Sequence, residues 1–383
     1  MKIGLALSGG GVRAAIFHAG VLRRLADEDL LEAVSGVSTV SGGSLAAAIV
    51  MSKAGLRWPD STAFRNNLYP AIRDLLTTTD LFSIGAIGWR GVWRYNVRLF
   101  GHRAAVLADL LTREWGIDGK LSDLPDQPFW WINATCFETG KNWRFSKREM
   151  GDWKFGRHYR PPFSIAEAAA SSAAVPYVIG ALKLDLPPDG WYRTDPATRA
   201  PQEKATPASP EVRLWDGGSY ENLGLEAMFK PQEPLRNCDF LICSDASGPL
   251  TPPHGTSRLN LLKGQLVAPR LFDIASDQIR ALRSRMFVRA IEGGTIRGAL
   301  LRMGNSVRDV DIKAGRRRET TDYDAFQSEQ EVASALSLPT GLIAVSETVF
   351  DQVARHGYEI ADATLTTYSP DEFSNSIKWT SKS

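Results

Sequence analysis

Cysteine and histidine are scarce in this 383-residue chain. Cys136, Cys238 and Cys243 are too few and too scattered for a disulfide framework or a four-ligand zinc site. The five histidines include no pair at metal-ligand spacing. Long apolar runs are missing too: no stretch of about 18 apolar residues occurs, so no transmembrane helix is expected. Charge of one sign is not in excess. Lys plus Arg is 45 against 43 Asp plus Glu, a formal net charge of +2, which argues against a nucleic-acid-binding protein. No signal peptide is expected at the amino terminus, because the apolar run Ile3–Leu7 stops at Ser8 and three glycines. These absences predict a cytoplasmic protein in a reducing compartment, with cofactor-free and metal-free chemistry. Apolar residues, by contrast, make up 43% of the chain, enough for a sizeable core and too many for wholesale disorder.

The first 50 residues alternate strand and helix. Residues 2–7 read as a buried strand, 12–28 as a helix with an apolar stripe through Val12, Ile16, Ala19 and Leu22, 33–40 as a second strand, and 44–53 as an alanine-rich helix. This βαβα opening predicts an α/β fold: a three-layer sandwich whose largely parallel central sheet is flanked by helices. Residues 55–120 are less regular. Residues 129–137 return to a strand, and Ser164 with Glu167 forms a capping box for a short helix. Six prolines in 187–210 predict an exposed loop. Strands follow at 212–215 and 240–244, an Arg-rich helix at 271–291, and two helices around 342–354 and 358–365.

Three small-residue turns follow predicted strands, and sites in α/β sheets gather at the carboxyl ends of strands. The first is Ser8-Gly9-Gly10-Gly11-Val12-Arg13. Its glycines permit close backbone approach, and the helix start leaves N–H groups free for a phosphate or a developing oxyanion. A dinucleotide fingerprint would want an acid ending the second strand, where Thr39-Val40-Ser41 stands instead. The second turn, Thr39-Val40-Ser41-Gly42-Gly43-Ser44, places a serine at a strand-to-helix joint. Ser41 is favoured over its rival Ser38 because the helix starts directly after it. The third, Trp215-Asp216-Gly217-Gly218, sets an Asp at the end of an apolar strand; alone, such a sequence is usually only a turn.

Taken together, these turns resemble the patatin-like phospholipase family. Ile132-Asn133-Ala134-Thr135, Ala170-Ser171-Ser172-Ala173-Ala174-Val175-Pro176, Asn222-Leu223-Gly224 and Cys243-Ser244-Asp245-Ala246-Ser247 extend the likeness through residues 3–248. Ala14 and Thr39 depart from it, standing where the family often has glycine. The resemblance implies a catalytic domain over 1–248, with a mostly helical extension, 249–383, packed on it. It implies a Ser–Asp dyad in which Ser41 is the nucleophile and Asp216 its base, with an oxyanion hole from Gly9, Gly10, Gly11 and Gly42. It also implies that Arg13 either braces the glycine loop or meets a lipid phosphate; pairing with a nearby carboxylate is the plain alternative. The expected reaction is hydrolysis of phospholipid or lysophospholipid esters at a transiently bound membrane surface, with no nucleic-acid partner.

Other readings stay open. One is a carboxylesterase or thioesterase for soluble acyl substrates; another is a catalytically silent membrane-binding protein. The mix of apolar, aromatic and cationic residues from Leu81 to Arg98 suits a membrane interface or a cap packed on the core. Arg280, Arg283, Arg285 and Arg289 either attract anionic lipid or form a solvated helix face, the commoner arrangement.

Overall fold

The computed structural model describes residues 1–81, 103–176, 179–195, 201–248, 250, 267–316 and 320–380. The strands are β1 (Ile3–Leu7), β2 (Val34–Val40), β3 (Phe129–Cys136), β4 (Asn142–Phe145), β5 (Glu149–Asp152), β6 (Gly156–Tyr159), β7 (Leu182–Asp185), β8 (Trp191–Thr194), β9 (Pro201–Ala205), β10 (Glu211–Asp216), β11 (Phe240–Asp245) and β12 (Arg297–Arg302). Five of them, in the order β12-β11-β1-β2-β3, are parallel. β1 and β11 are buried along their whole length, as strands covered on both faces must be. From β3 outward, β4, β5, β6, β8 and β9 continue the sheet antiparallel. The α/β expectation therefore holds for the parallel half, and hairpins extend the sheet beyond it.

Helix α1 (Gly11–Asp27) follows β1 and helix α2 (Gly42–Lys53) follows β2. Nearly every residue of α1 is buried, because the long helix Glu347–Tyr368 lies against it. Two glycines permit that approach. A Cβ at Gly20 would lie 1.9 Å from the Ala354 carbonyl oxygen, and one at Gly357 would lie 2.1 Å from that of Phe17. Buried Arg24 pairs with Asp362 at 2.7 Å, and the Tyr358 hydroxyl donates to Asp27 at 2.9 Å. Gly20→Ala should therefore lower stability by about 1–3 kcal/mol through overpacking against backbone that cannot yield. Thermal unfolding followed by circular dichroism checks it, and an unchanged midpoint would contradict the tight helix contact.

The tail differs from expectation. Its two predicted helices are one, because Gly357 is a contact point inside the helix and not a break. The segment 187–210 also departs from a plain loop. Buried Trp191 packs on Trp143 and Phe155, and it anchors β8, which pairs with the exposed edge strand β9. Pro201 opens that edge strand, where a missing N–H costs least. Within 55–120, helices span Tyr69–Thr78 and Arg103–Arg113. Beyond 248 the chain adds the edge strand β12 to the main sheet. The aromatic and cationic segment after Leu81 lies outside the described residues up to Arg103. Among the described residues, no helix is long and apolar enough to cross a membrane.

Candidate active site

Sheet register explains how two distant turns meet. Residues 132–135 of β3 pair with β4 along one edge. Along the opposite edge, β2 occupies the first part of β3 and β10 the last part, running in opposite directions. Val40 ends β2 opposite Asn133, and Asp216 ends β10 opposite Ala134. The two strands thus run head-on along one partner, and their carboxyl ends meet at consecutive residues of it.

Ser41 is the next residue after Val40 and turns sharply into α2, with φ 49° and ψ −118°. A non-glycine residue adopts that conformation only where its surroundings force it, at a cost on the order of 1–3 kcal/mol. The restraints are visible. The Ser41 N–H donates to the Ser172 hydroxyl at 2.9 Å, and Ser172 donates to the Asn133 carbonyl at 2.6 Å. The Ser44 hydroxyl lies 2.8 Å from that of Ser172. Close packing demands the glycines around it: a Cβ on Gly42 would meet the Gly11 carbonyl oxygen at 2.3 Å, and one on Gly43 the Leu7 carbonyl oxygen at 2.3 Å. Ser38 is placed differently. It is fully buried, donates to the Gly224 carbonyl at 2.6 Å and accepts from the Asn133 amide at 3.0 Å.

Asp216 is held by its own turn. Its carboxylate accepts the Gly218 N–H at 2.7 Å, its N–H donates to the Ala174 carbonyl at 2.9 Å, and its carbonyl accepts the Thr135 hydroxyl at 2.8 Å. Burial pushes its carboxyl up to about 6, against the opposing pull of hydrogen bonds from the Ser41 side chain and the Gly218 amide. Ser41 and Asp216 open together into a cavity of about 860 Å³, which Gly9, Gly10 and Arg13 also line.

The glycine loop folds over Ser41: a Cβ on Gly9 would lie 2.9 Å from the Ser41 Cβ. Gly10 (φ 147°) and Gly11 (φ 62°) adopt backbone that a side chain disfavours. Their amides stand at the start of α1 with no carbonyl partner among the described residues. Gly9 corrects one expectation, because its N–H is already bonded to the Asn222 carbonyl at 3.1 Å and is not free for an oxyanion. Gly11 and Gly42 do not line the cavity; they press the two helix starts together.

Arg13 makes no ion pair among the described residues, although Asp245 acts on it through space. Its guanidinium donates to the Leu336 and Leu338 carbonyls at 3.1 and 2.9 Å, and to that of Ala246 at 3.5 Å. The Val12 N–H donates to the Gly341 carbonyl at 2.9 Å. Residues 336–341 therefore form a strap over the glycine loop, and Leu338, Pro339 and Thr340 of that strap line the cavity. His18 lies elsewhere: it bridges the Ser8 carbonyl and the Ser244 hydroxyl, each at 2.9 Å, and burial pushes its imidazole down to about 4. It is a neutral core histidine. Sequence reasoning did not find the roles of Ser172 or the strap, since a serine in an alanine-rich helix carries no sign of what it faces.

Comparisons with known proteins bear on the fold and the family. No curated protein sequence matches the chain. Human GIVD cytosolic phospholipase A2 is similar in structure, with a TM-score of 0.54 at 16% identity, over 96% of this chain and 62% of that one. The same human protein in complex with methyl gamma-linolenyl fluorophosphonate gives a TM-score of 0.52 at 15% identity, over 94% of this chain and 56% of that one. This chain thus spans less than two thirds of those structures, and at such identities the likeness is one of fold. Sequence carries the assignment further. The family model of patatin-like phospholipases matches residues 5–229, a stretch that runs from β1 through both strand ends at the cavity, and the chain belongs to that family.

Proposed function

We propose that this protein is a serine acyl hydrolase that cleaves ester bonds of phospholipids or lysophospholipids. The opening of Ser41 and the buried Asp216 carboxyl, its proton affinity raised, into one large cavity carries this reading. An ordinary Asp, near 3.8, is a poor acceptor for a serine proton; at about 6 it is a stronger base and still ionised at neutral pH. Ser41 attacks the ester carbonyl while Asp216 takes its proton. The Gly10 amide, which lines the cavity at the positive end of α1, meets the developing oxyanion. The alcohol or lysolipid leaves with the proton, and water then hydrolyses the acyl-enzyme by the same route.

Arg13 serves here as a brace, since its terminal guanidinium nitrogens donate to main-chain carbonyls. Val175, Phe272, Leu336 and Leu338 give the cavity an apolar wall suited to an acyl chain. A bilayer substrate requires transient binding of a membrane surface, and the three buried free thiols suit a cytoplasmic setting.

The test compares fatty acid release from phospholipid vesicles with turnover of a short soluble ester. Faster release from vesicles is expected. Turnover of the soluble ester with intact vesicle lipid would favour a soluble carboxylesterase or thioesterase.

A further inference from the structure

The cavity has a helical wall whose outer side is unusual. The helix Val267–Glu292 turns Ser276, Asp277 and Arg280 toward the cavity. Its opposite side carries Leu271, Ile274, Leu282 and Met286, which are 60%, 40%, 53% and 39% exposed. At about 100° per residue these four fall within an arc of about 120°. They are four of the ten exposed large hydrophobic residues among the described residues, so the stripe is a concentration and not scatter.

Charge separates along the same helix. Arg280 pairs with Asp277 and Asp245, and Arg283 with Glu226, on the inner side. Arg285 and Arg289 fall within the outer arc and have no carboxylate partner among the described residues. No acidic residue lies on that arc between Leu271 and Arg289. Arg285 also lines, with Arg302, a cavity of about 490 Å³ that shares Asp277, Arg280 and Leu336 with the catalytic cavity. Apolar residues flanked by guanidinium groups without a carboxylate partner match the boundary between acyl chains and anionic headgroups. A solvated face would not need the leucines, and a neutral protein partner would not need the arginines.

We infer that this outer face docks the protein on an anionic lipid surface, bringing the catalytic cavity to the bilayer. The inference deepens the proposed activity by naming how its substrate is reached.

The test measures binding apart from hydrolysis. Ser41→Ala protein is sedimented with vesicles of phosphatidylcholine mixed with phosphatidylglycerol, and with vesicles of phosphatidylcholine alone. Stronger binding to the anionic vesicles is expected. Leu271→Ser combined with Leu282→Ser, and separately Arg285→Gln combined with Arg289→Gln, should each weaken it on the order of tenfold or more, with an unchanged circular dichroism spectrum. All four sites are exposed, so folding should survive. Unaltered binding in both double variants would overturn the inference, as would absence of binding to either vesicle. A dimer on gel filtration that Leu282→Ser dissociates would instead assign the face to a second copy. Vesicle binding without any ester turnover by the wild type would defeat the proposed activity and leave the docking face standing.

Discussion

Ser41→Ala should reduce ester hydrolysis by at least about 10⁴-fold and abolish covalent labelling by a fluorophosphonate probe. The alanine keeps the backbone of the turn, since the Ser41 N–H, not its side chain, is the group that Ser172 holds. Only the hydroxyl facing Asp216 is lost. Ser38→Ala provides the contrast. That hydroxyl is a buried structural link between the Gly224 carbonyl and the Asn133 amide. Labelling should persist there, with stability lower by about 1–3 kcal/mol from unsatisfied partners. Mass spectrometry of the labelled peptide separates the two serines by site. Undiminished labelling of Ser41→Ala would mean the nucleophile is another residue.

Asp216→Asn should lower turnover by at least about 10³-fold and, unusually for a buried site, raise stability. The physical reason lies in its raised carboxyl. An unfolded chain releases this proton near pH 3.8, and the folded protein holds it until about pH 6. Between those values the folded state binds the extra proton, so stability falls as pH rises through that window and stays lower above it. At neutral pH the cost is on the order of 2–3 kcal/mol. Asparagine is never charged, and it still offers an oxygen to the Gly218 N–H. Its denaturation midpoint at pH 7 should therefore exceed that of the wild type, with the two converging below about pH 4. Activity of the wild type should climb with pH through about 6, because only the ionised carboxylate accepts the serine proton. A flat pH profile across that range, or near-normal turnover in Asp216→Asn, would remove Asp216 from the reaction.

The parts legible in the sequence are those with local signatures. Apolar runs ending in glycine clusters marked the ends of β1, β2 and β10, and the capping box at Ser164 marked its helix; the ladder and the Ser164–Glu167 bonds agree with both. What was not legible depends on backbone meeting backbone far along the chain. Gly11 faces Gly341, and Arg13 grips the carbonyls of Leu336 and Leu338. Main-chain carbonyls leave no trace in composition, so a strap made of them cannot be read in advance. Gly357 lies between the two expected tail helices, and there it admits a neighbouring helix without ending its own. The arginine run on Val267–Glu292 resolved only once its partners were known, since pairing removes some guanidinium groups and leaves others outward.

The head-on meeting of β2 and β10 has a consequence for how freely this scaffold can be rebuilt. Both strand tips are indexed to neighbouring rungs of β3, so their separation is set by a single peptide repeat of about 3.8 Å. The outlying hairpin of β8 and β9 touches neither tip, so it could be lengthened, trimmed or replaced by grafted sequence without altering that spacing. Variation in the periphery is thereby uncoupled from the alignment of the reacting groups.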